Sequence, residues 1–206
     1  MRLVSALVAI SLLLIPAANA QSARSSARPS RLSPEATGVY ELDKNHASII
    51  FKVSHLGYSD YIGRFNNFDA RLNLNAANLS ASVVEATIQP GSVDTNNKEL
   101  EDKLRGDTYF NVSQFPEVKF TSTQIKQIAS NKGIITGDLT MLGITKSVAL
   151  NVTFKQAGMN PYASVYTIGF EATGTFKRSD FGMKTLVPQI GDEVQLLIEA
   201  EFHRKS

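Results

Sequence analysis

The sequence predicts an all-β chain, an extended eight-stranded antiparallel barrel with one short helix near a barrel end. Three observations lead there. From Gly38 onward, short segments rich in β-branched and aromatic residues recur at close intervals. Within them apolar and polar residues alternate: Val194, Leu196, Ile198, Ala200 and Phe202 face one way, and Glu193, Gln195, Glu199 and Glu201 the other. Residues two apart share a strand face, so each strand has an apolar and a wet side. Only the stretch from about Asn97 to Arg105 changes to helical spacing. Eight or nine antiparallel strands do not fit comfortably in one open sheet, so closure into a barrel or sandwich is expected, and a barrel is the form adopted here.

Residues 1–20 read as a secretory leader. Arg2 supplies the basic start, Leu3 to Ile15 is apolar except for Ser5 and Ser11, and Ala18-Asn19-Ala20 is a small-residue cleavage pattern. Cleavage after Ala20 is expected. The run is shorter than the roughly 20 residues of a membrane-spanning helix. Residues 21–37 read as a disordered linker, rich in Ser, Arg and Ala and poor in large apolar residues. One domain, 38–206, follows.

Charge excludes one class of function. Arg2, Arg24, Arg28 and Arg31 are the only charges before Glu35, leaving 17 basic against 19 acidic residues in the remainder. A domain so close to neutral has no electrostatic footprint for nucleic acid. Cysteine is absent, which removes disulfides, thiolate nucleophiles, a lipoprotein anchor and cysteine metal sites together.

The strands expected in order are Val39 to Leu42, Ala47 to Leu56, Tyr61 to Leu74, Ser82 to Gln89, Val118 to Ile128, Gly133 to Leu142, Lys146 to Phe154, Ser164 to Phe176 and Glu193 to His203. In the helix between them, Asn96 with Glu99 forms a capping pair, Leu100 and Leu104 share a face, and Gly106 is placed for a left-handed stop. Those leucines need apolar surroundings. An eight-stranded barrel is of a size either to pack solid or to hold one small ligand, so the helix either plugs the barrel or covers a ligand.

Two apolar rows end in polar side chains: Ile49-Phe51-Val53-His55, and Tyr166-Ile168-Phe170-Ala172-Gly174-Phe176-Arg178. That pattern suits an amphiphile. His55 is placed either to meet a head group or to bond a neighbouring backbone or carboxylate group. Arg178 either grips a phosphate or ties down the turn Ser179 to Gly182, and Asp94 either contacts ligand or supports its neighbours. Phe51, Phe65, Phe68, Phe110, Phe120, Phe170, Phe176 and Phe181, with Met141, fit a solid core as well as a lined tunnel. No metal site is expected, since His46 and His203 are not at ligand spacing with His55 and no paired-histidine motif exists. Gly-x-Ser-x-Gly, P-loop and dinucleotide fingerprints are absent as well. An outer-membrane barrel conflicts with Lys52, Glu85, Lys119, Lys155, Glu199 and Glu201 on the outward faces. A solid barrel with interacting loops and a lipid-modifying enzyme remain as the alternatives.

Several spaced motifs resemble the YceI-like family. They are Tyr40 to Asp43, His46 to Phe51, Val53 to His55, Gly63 to Phe65, Val93 to Thr95, Asp107 to Phe110, Phe115 to Phe120, Gly137 to Gly143, Arg178 to Gly182 and the closing Val194 to Phe202. The resemblance implies a lipocalin-like barrel, exported to the periplasm, whose tunnel binds a long isoprenoid or similar lipid, with no catalytic residues and no cofactor besides that lipid. A homodimer is also implied. The expected ligand wall is Phe51, Val53, His55, Phe65, Asp94, Leu100, Leu104, Phe110, Phe120, Met141, Phe170, Phe176, Arg178 and Phe181. The family pattern has a histidine just before the helix leucine, where this chain has Lys103.

Overall fold

Alternation along the strands becomes a closed wall. The computed structural model describes residues 32–205; the expected leader and residues 21–31 of the expected linker lie outside the described residues. The strands are β1 (Gly38–His55), β2 (Ser59–Phe65), β3 (Phe68–Leu74), β4 (Val83–Ile88), β5 (Val93–Asp94), β6 (Val118–Ala129), β7 (Lys132–Met141), β8 (Ile144–Met159), β9 (Tyr166–Lys177) and β10 (Ile190–Arg204), with helix α1 (Lys98–Arg105) between β5 and β6. All pairings are antiparallel, in the order β10-β9-β8-β7-β6-β4-β3-β1-β2-β5, and β10 also pairs with β1. That last pairing closes an eight-stranded barrel.

The ten segments fit eight staves because two staves are broken. β1 pairs with β3 through Gly38 to Glu41 and with β2 through Ile49 to His55. β2 and β3 therefore run along one flank of β1, and the single strand expected over Tyr61 to Leu74 is interrupted at Asn66-Asn67. Opposite the break, Pro90–Ser92 form a 3-10 turn between β4 and β5. Asn67 and Gln89 tie the two breaks together through side-chain and backbone hydrogen bonds of 2.7 and 2.9 Å.

The linker is ordered at its end, contrary to the 21–37 boundary. Pro34–Ala36 form a 3-10 turn, Ala36 is fully buried, and its carbonyl accepts from the Tyr40 hydroxyl at 2.6 Å. A proline and a buried methyl give this short piece a reason to stay docked.

The helix caps also differ from expectation. Asn97, not Asn96, is the N-cap, its Oδ1 accepting from Leu100 N–H at 3.1 Å. The reciprocal carboxylate is Glu101, which accepts from the backbone of Thr95 and Asn97. Asn96 instead takes the left-handed turn, at φ 56°. Gly106 is extended at φ −68°, its N–H bonding Lys103 O in a tightened last turn.

One end of the barrel is solid. Ala36, Tyr40, Leu42, Leu72, Leu74, Phe154, Ile168 and Phe202 form a continuous buried cluster there. Phe170 stacks between Phe154 and Phe202 at centroid distances of 5.9 and 6.4 Å. The Arg204 guanidinium covers the outside of this end, over the Tyr166 ring at 4.0 Å and bonded to Tyr40 Oη.

Candidate functional site

Between this plug and the other end of the barrel lies an apolar cavity of about 570 Å³. Its size falls within the roughly 300–1,000 Å³ of small-molecule sites and far exceeds the voids of a packed core. The inward row of every stave supplies the wall. β1 gives Leu42, Ile49, Phe51, Val53 and His55, while β9 gives Phe170, Ala172 and Phe176. β10 gives Val194, Leu196, Ile198, Ala200 and Phe202. These are the faces that alternation assigned inward.

Glycines let the rings lie flat on that wall. A Cβ at Gly63 would stand 2.2 Å from the tip of the Phe51 ring, and one at Gly137 would stand 2.4 Å from that of Phe120. Each ring covers a bare backbone on a nearby strand instead of pointing across the lumen. Phe51, Phe65 and Phe110 form a chain of rings at 5.4 and 5.7 Å, joining the wall to the segment after α1.

The polar groups on the lining are His55, Tyr61, Thr95, Lys103, Tyr109 and Arg178. They gather at the helix end. Tyr61 pairs with Val53 near His55, β5 brings Thr95 beside β2, and Arg178 bonds the Ile190 and Gly191 carbonyls next to the His55–Ile190 pair. His55 and Lys103 are exposed, so the lining reaches the surface there. Lys103 pairs with Glu99 at 2.7 Å, and that hydrogen bond raises the pKa of its ammonium above the ordinary value.

Of the expected wall, Phe51, Val53, His55, Phe65, Leu100, Leu104, Phe110, Phe120, Met141, Phe170, Phe176 and Arg178 are brought together on this cavity. Phe181 and Asp94 are not, and both placements are corrected. Phe181 is 1% exposed behind the wall, packed edge-on against Phe176 at 5.5 Å. It sits in a 3-10 turn, Arg178–Phe181, where strand alternation no longer governs direction. Asp94 accepts from Asn66 Nδ2 at 3.0 Å and Asn96 N–H at 3.1 Å, and these bonds hold its carboxyl below the usual range. It shapes the bend into α1.

Arg178 lines the cavity, yet its guanidinium is turned to the backbone. Nε donates to Gly191 O, Nη1 to Met183 O and Thr185 O, and Nη2 to Ile190 O, all at 2.8–3.0 Å. Four of the five N–H donors of an arginine are thus taken. Burial pushes the guanidinium below its ordinary pKa, opposed by the charge of Asp192. Of the two readings open from sequence, tying down the loop is the one the bonds describe. The tie goes to carbonyls and not to Asp180. His55, for its part, is at the rim and not in a core.

Sequence reasoning left out Tyr61, Lys103, Tyr109, Met183, Leu186 and Ile190 from the wall. Tyr61 and Ile190 lie directly across from Val53 and His55 in the strand register, a signal available only once the pairing is known. Met183 and Leu186 come from the loop held by Arg178 and follow no strand period.

Comparison with known proteins agrees with this architecture. The YceI-like domain matches residues 40–202. A UPF0312 protein of Photorhabdus laumondii is 40% identical over 168 residues, covering 81% of this chain and 86% of its own length. A UPF0312 protein of Pseudomonas aeruginosa is 40% identical over 168 residues, with coverage of 81% and 87%. Among solved structures, Burkholderia cenocepacia BcnA superposes with a TM-score of 0.71 at 25% identity, over 78% of this chain and 98% of its own. A polyisoprenoid-binding domain from Saccharophagus degradans shares the fold at a TM-score of 0.63 and 13% identity, over 81% and 98%. By its motifs, its closed eight-stranded barrel and these matches, the chain belongs to the YceI-like family.

Proposed function

We propose that this protein holds a long-chain isoprenoid amphiphile, of polyprenyl or quinone type, inside the barrel and carries or stores it in the periplasm without altering it chemically. The observation that carries this reading is the 570 Å³ cavity, apolar along its length and polar only at the helix end. The polyisoprenoid-binding domain that shares this fold supports it. The leader-like residues 1–20 support export, and among the described residues no helix is long and apolar enough to cross a membrane.

Energetics assign separate tasks to tail and head. Each buried methylene contributes about 0.8 kcal/mol, so a dozen contribute on the order of 10 kcal/mol before ordering and immobilisation costs. A hydrogen bond to a charged side chain adds only about 1.5–3 kcal/mol. The tail sets affinity, and the head, meeting His55, Lys103 or Tyr109, sets direction. Titration with isoprenoid alcohols of increasing length should show affinity rising with each unit until the cavity is full. Affinity independent of length would overturn the reading.

A further inference from the structure

The barrel is closed by β1 on β10, and the register of that seam shifts twice, between Leu42 and Ala47 and between Val53 and His55; the first shift is the longer. Leu42 pairs with Phe202 and the next pair is Ala47 with Ala200, so residues 43–46 stand opposite the single residue Glu201. The extra length turns Asp43 and His46 toward each other and toward β10, where Glu201 and His203 share a face two residues apart.

Three metal-ligating groups, Asp43, His46 and Glu201, meet at this bulge, and a fourth, His203, lies against the Asp43 carboxylate. His46 Nδ1 lies 2.7 Å from Asp43 Oδ2, and His203 Nε2 lies 3.2 Å from the same oxygen. One donor atom from each of Asp43, His46 and Glu201 lies within 4.8 Å of the others. His203 Nε2 is shut off from solvent and makes no hydrogen bond among the described residues, although it is aimed at the Asp43 carboxylate. A buried nitrogen that faces a carboxylate without making a hydrogen bond costs free energy unless something else satisfies it.

We propose that the bulge is a binding site for a divalent transition cation of the zinc type, with His46, His203, Asp43 and Glu201 as its ligands. Two imidazole nitrogens and two carboxylate oxygens form a donor set suited to tetrahedral zinc, and imidazole selects such metals over calcium or magnesium. Zinc bonds of roughly 2.0–2.1 Å place neighbouring tetrahedral donors about 3.3 Å apart. The 3.2 Å separation is close to that value, and the 2.7 Å one, a hydrogen bond as it stands, would open by about 0.6 Å on binding the cation. Two donors come from each side of the seam, so a bound cation would tie β1 to β10 where their ladder is interrupted.

Titration of the purified protein with Zn²⁺, after chelator treatment, tests this. The expected result is one equivalent bound, with affinity weakened at least tenfold in both His46→Gln and Glu201→Gln. Unchanged circular dichroism and lipid content are expected in both variants, since neither residue lines the cavity. Co²⁺ at the same site should give the intense visible absorption of tetrahedral coordination, lost in His203→Gln. No uptake of Zn²⁺, or uptake equally tight in His46→Gln and Glu201→Gln, would overturn the proposal.

Discussion

At one end of the barrel Tyr40, Ala36 and Ile168 are wholly shut from solvent and none touches the cavity; at the other, His55 and Leu186 are exposed and both line it. The same staves build both ends. The first is filled by strand side chains and a docked N-terminal turn, so what it needs from sequence is volume. The second is walled by α1 and the loop 178–190, whose shape depends on hydrogen bonds: Asn97 at the helix start and Arg178 under the loop. A barrel of this size can pack solid or leave room for a ligand, and here one end is packed solid while the other encloses an apolar cavity.

Substitutions that separate the ends sharpen this contrast. The largest effect is expected from Arg178→Ala, which strands four backbone carbonyls at a cost of about 1–3 kcal/mol each when no water reaches them. Destabilisation of about 4 kcal/mol or more in urea unfolding, with joint loss of lipid, is expected. Arg178→Lys should recover only part, because an ammonium cannot reproduce the planar fork. Lipid loss with full stability would return this arginine to ligand recognition.

Next in size, Ile168→Ala in the plug should cost about 2–5 kcal/mol by removing buried contacts and leaving a hole. Leu196→Ala on the cavity wall should cost less than about 2 kcal/mol, because that side chain already faces open space. Equal costs, read from the denaturation midpoints, would mean that the two ends are packed alike.

Asn97→Ala should then cost about 1 kcal/mol as a lost N-cap, seen as faster amide exchange in α1 with the plug unchanged. Smallest of all, His55→Gln and Lys103→Ala should leave the denaturation midpoint essentially unchanged, because both side chains are exposed. Their effect should instead appear as a changed preference among alcohol, quinone and phosphate head groups in competition binding.

The strands were legible because alternation is a local property: the inward row Val194 to Phe202 lines the cavity as the period assigned it. Where the chain leaves the strand period, sequence ceased to report direction. Phe181 was placed on the wall by composition but belongs to a turn behind it. Asp94 sat in a strand motif, yet its side chain turns back to Asn66. The capping residue was misplaced by one position because Asn96 and Asn97 are chemically identical, and only the left-handed backbone at Asn96 separates them. The bulge at residues 43–46 was illegible for another reason: its partners lie about 155 residues away across the closing seam, and spacing along the chain does not record such pairs. Whether the rings made a core or a tunnel was undecidable from periodicity and rests on how Phe51 and Phe120 lie over glycine.

The central claim is that the cavity holds lipid, and native mass spectrometry of protein recovered from its own host, followed by organic extraction, tests it most directly. Wild type should carry one long-chain amphiphile, and Ala172→Trp, which fills the lumen from β9, should carry none while unfolding as a native protein does. A wild-type mass free of lipid, unchanged after incubation with quinones and polyprenyl lipids, would contradict the account.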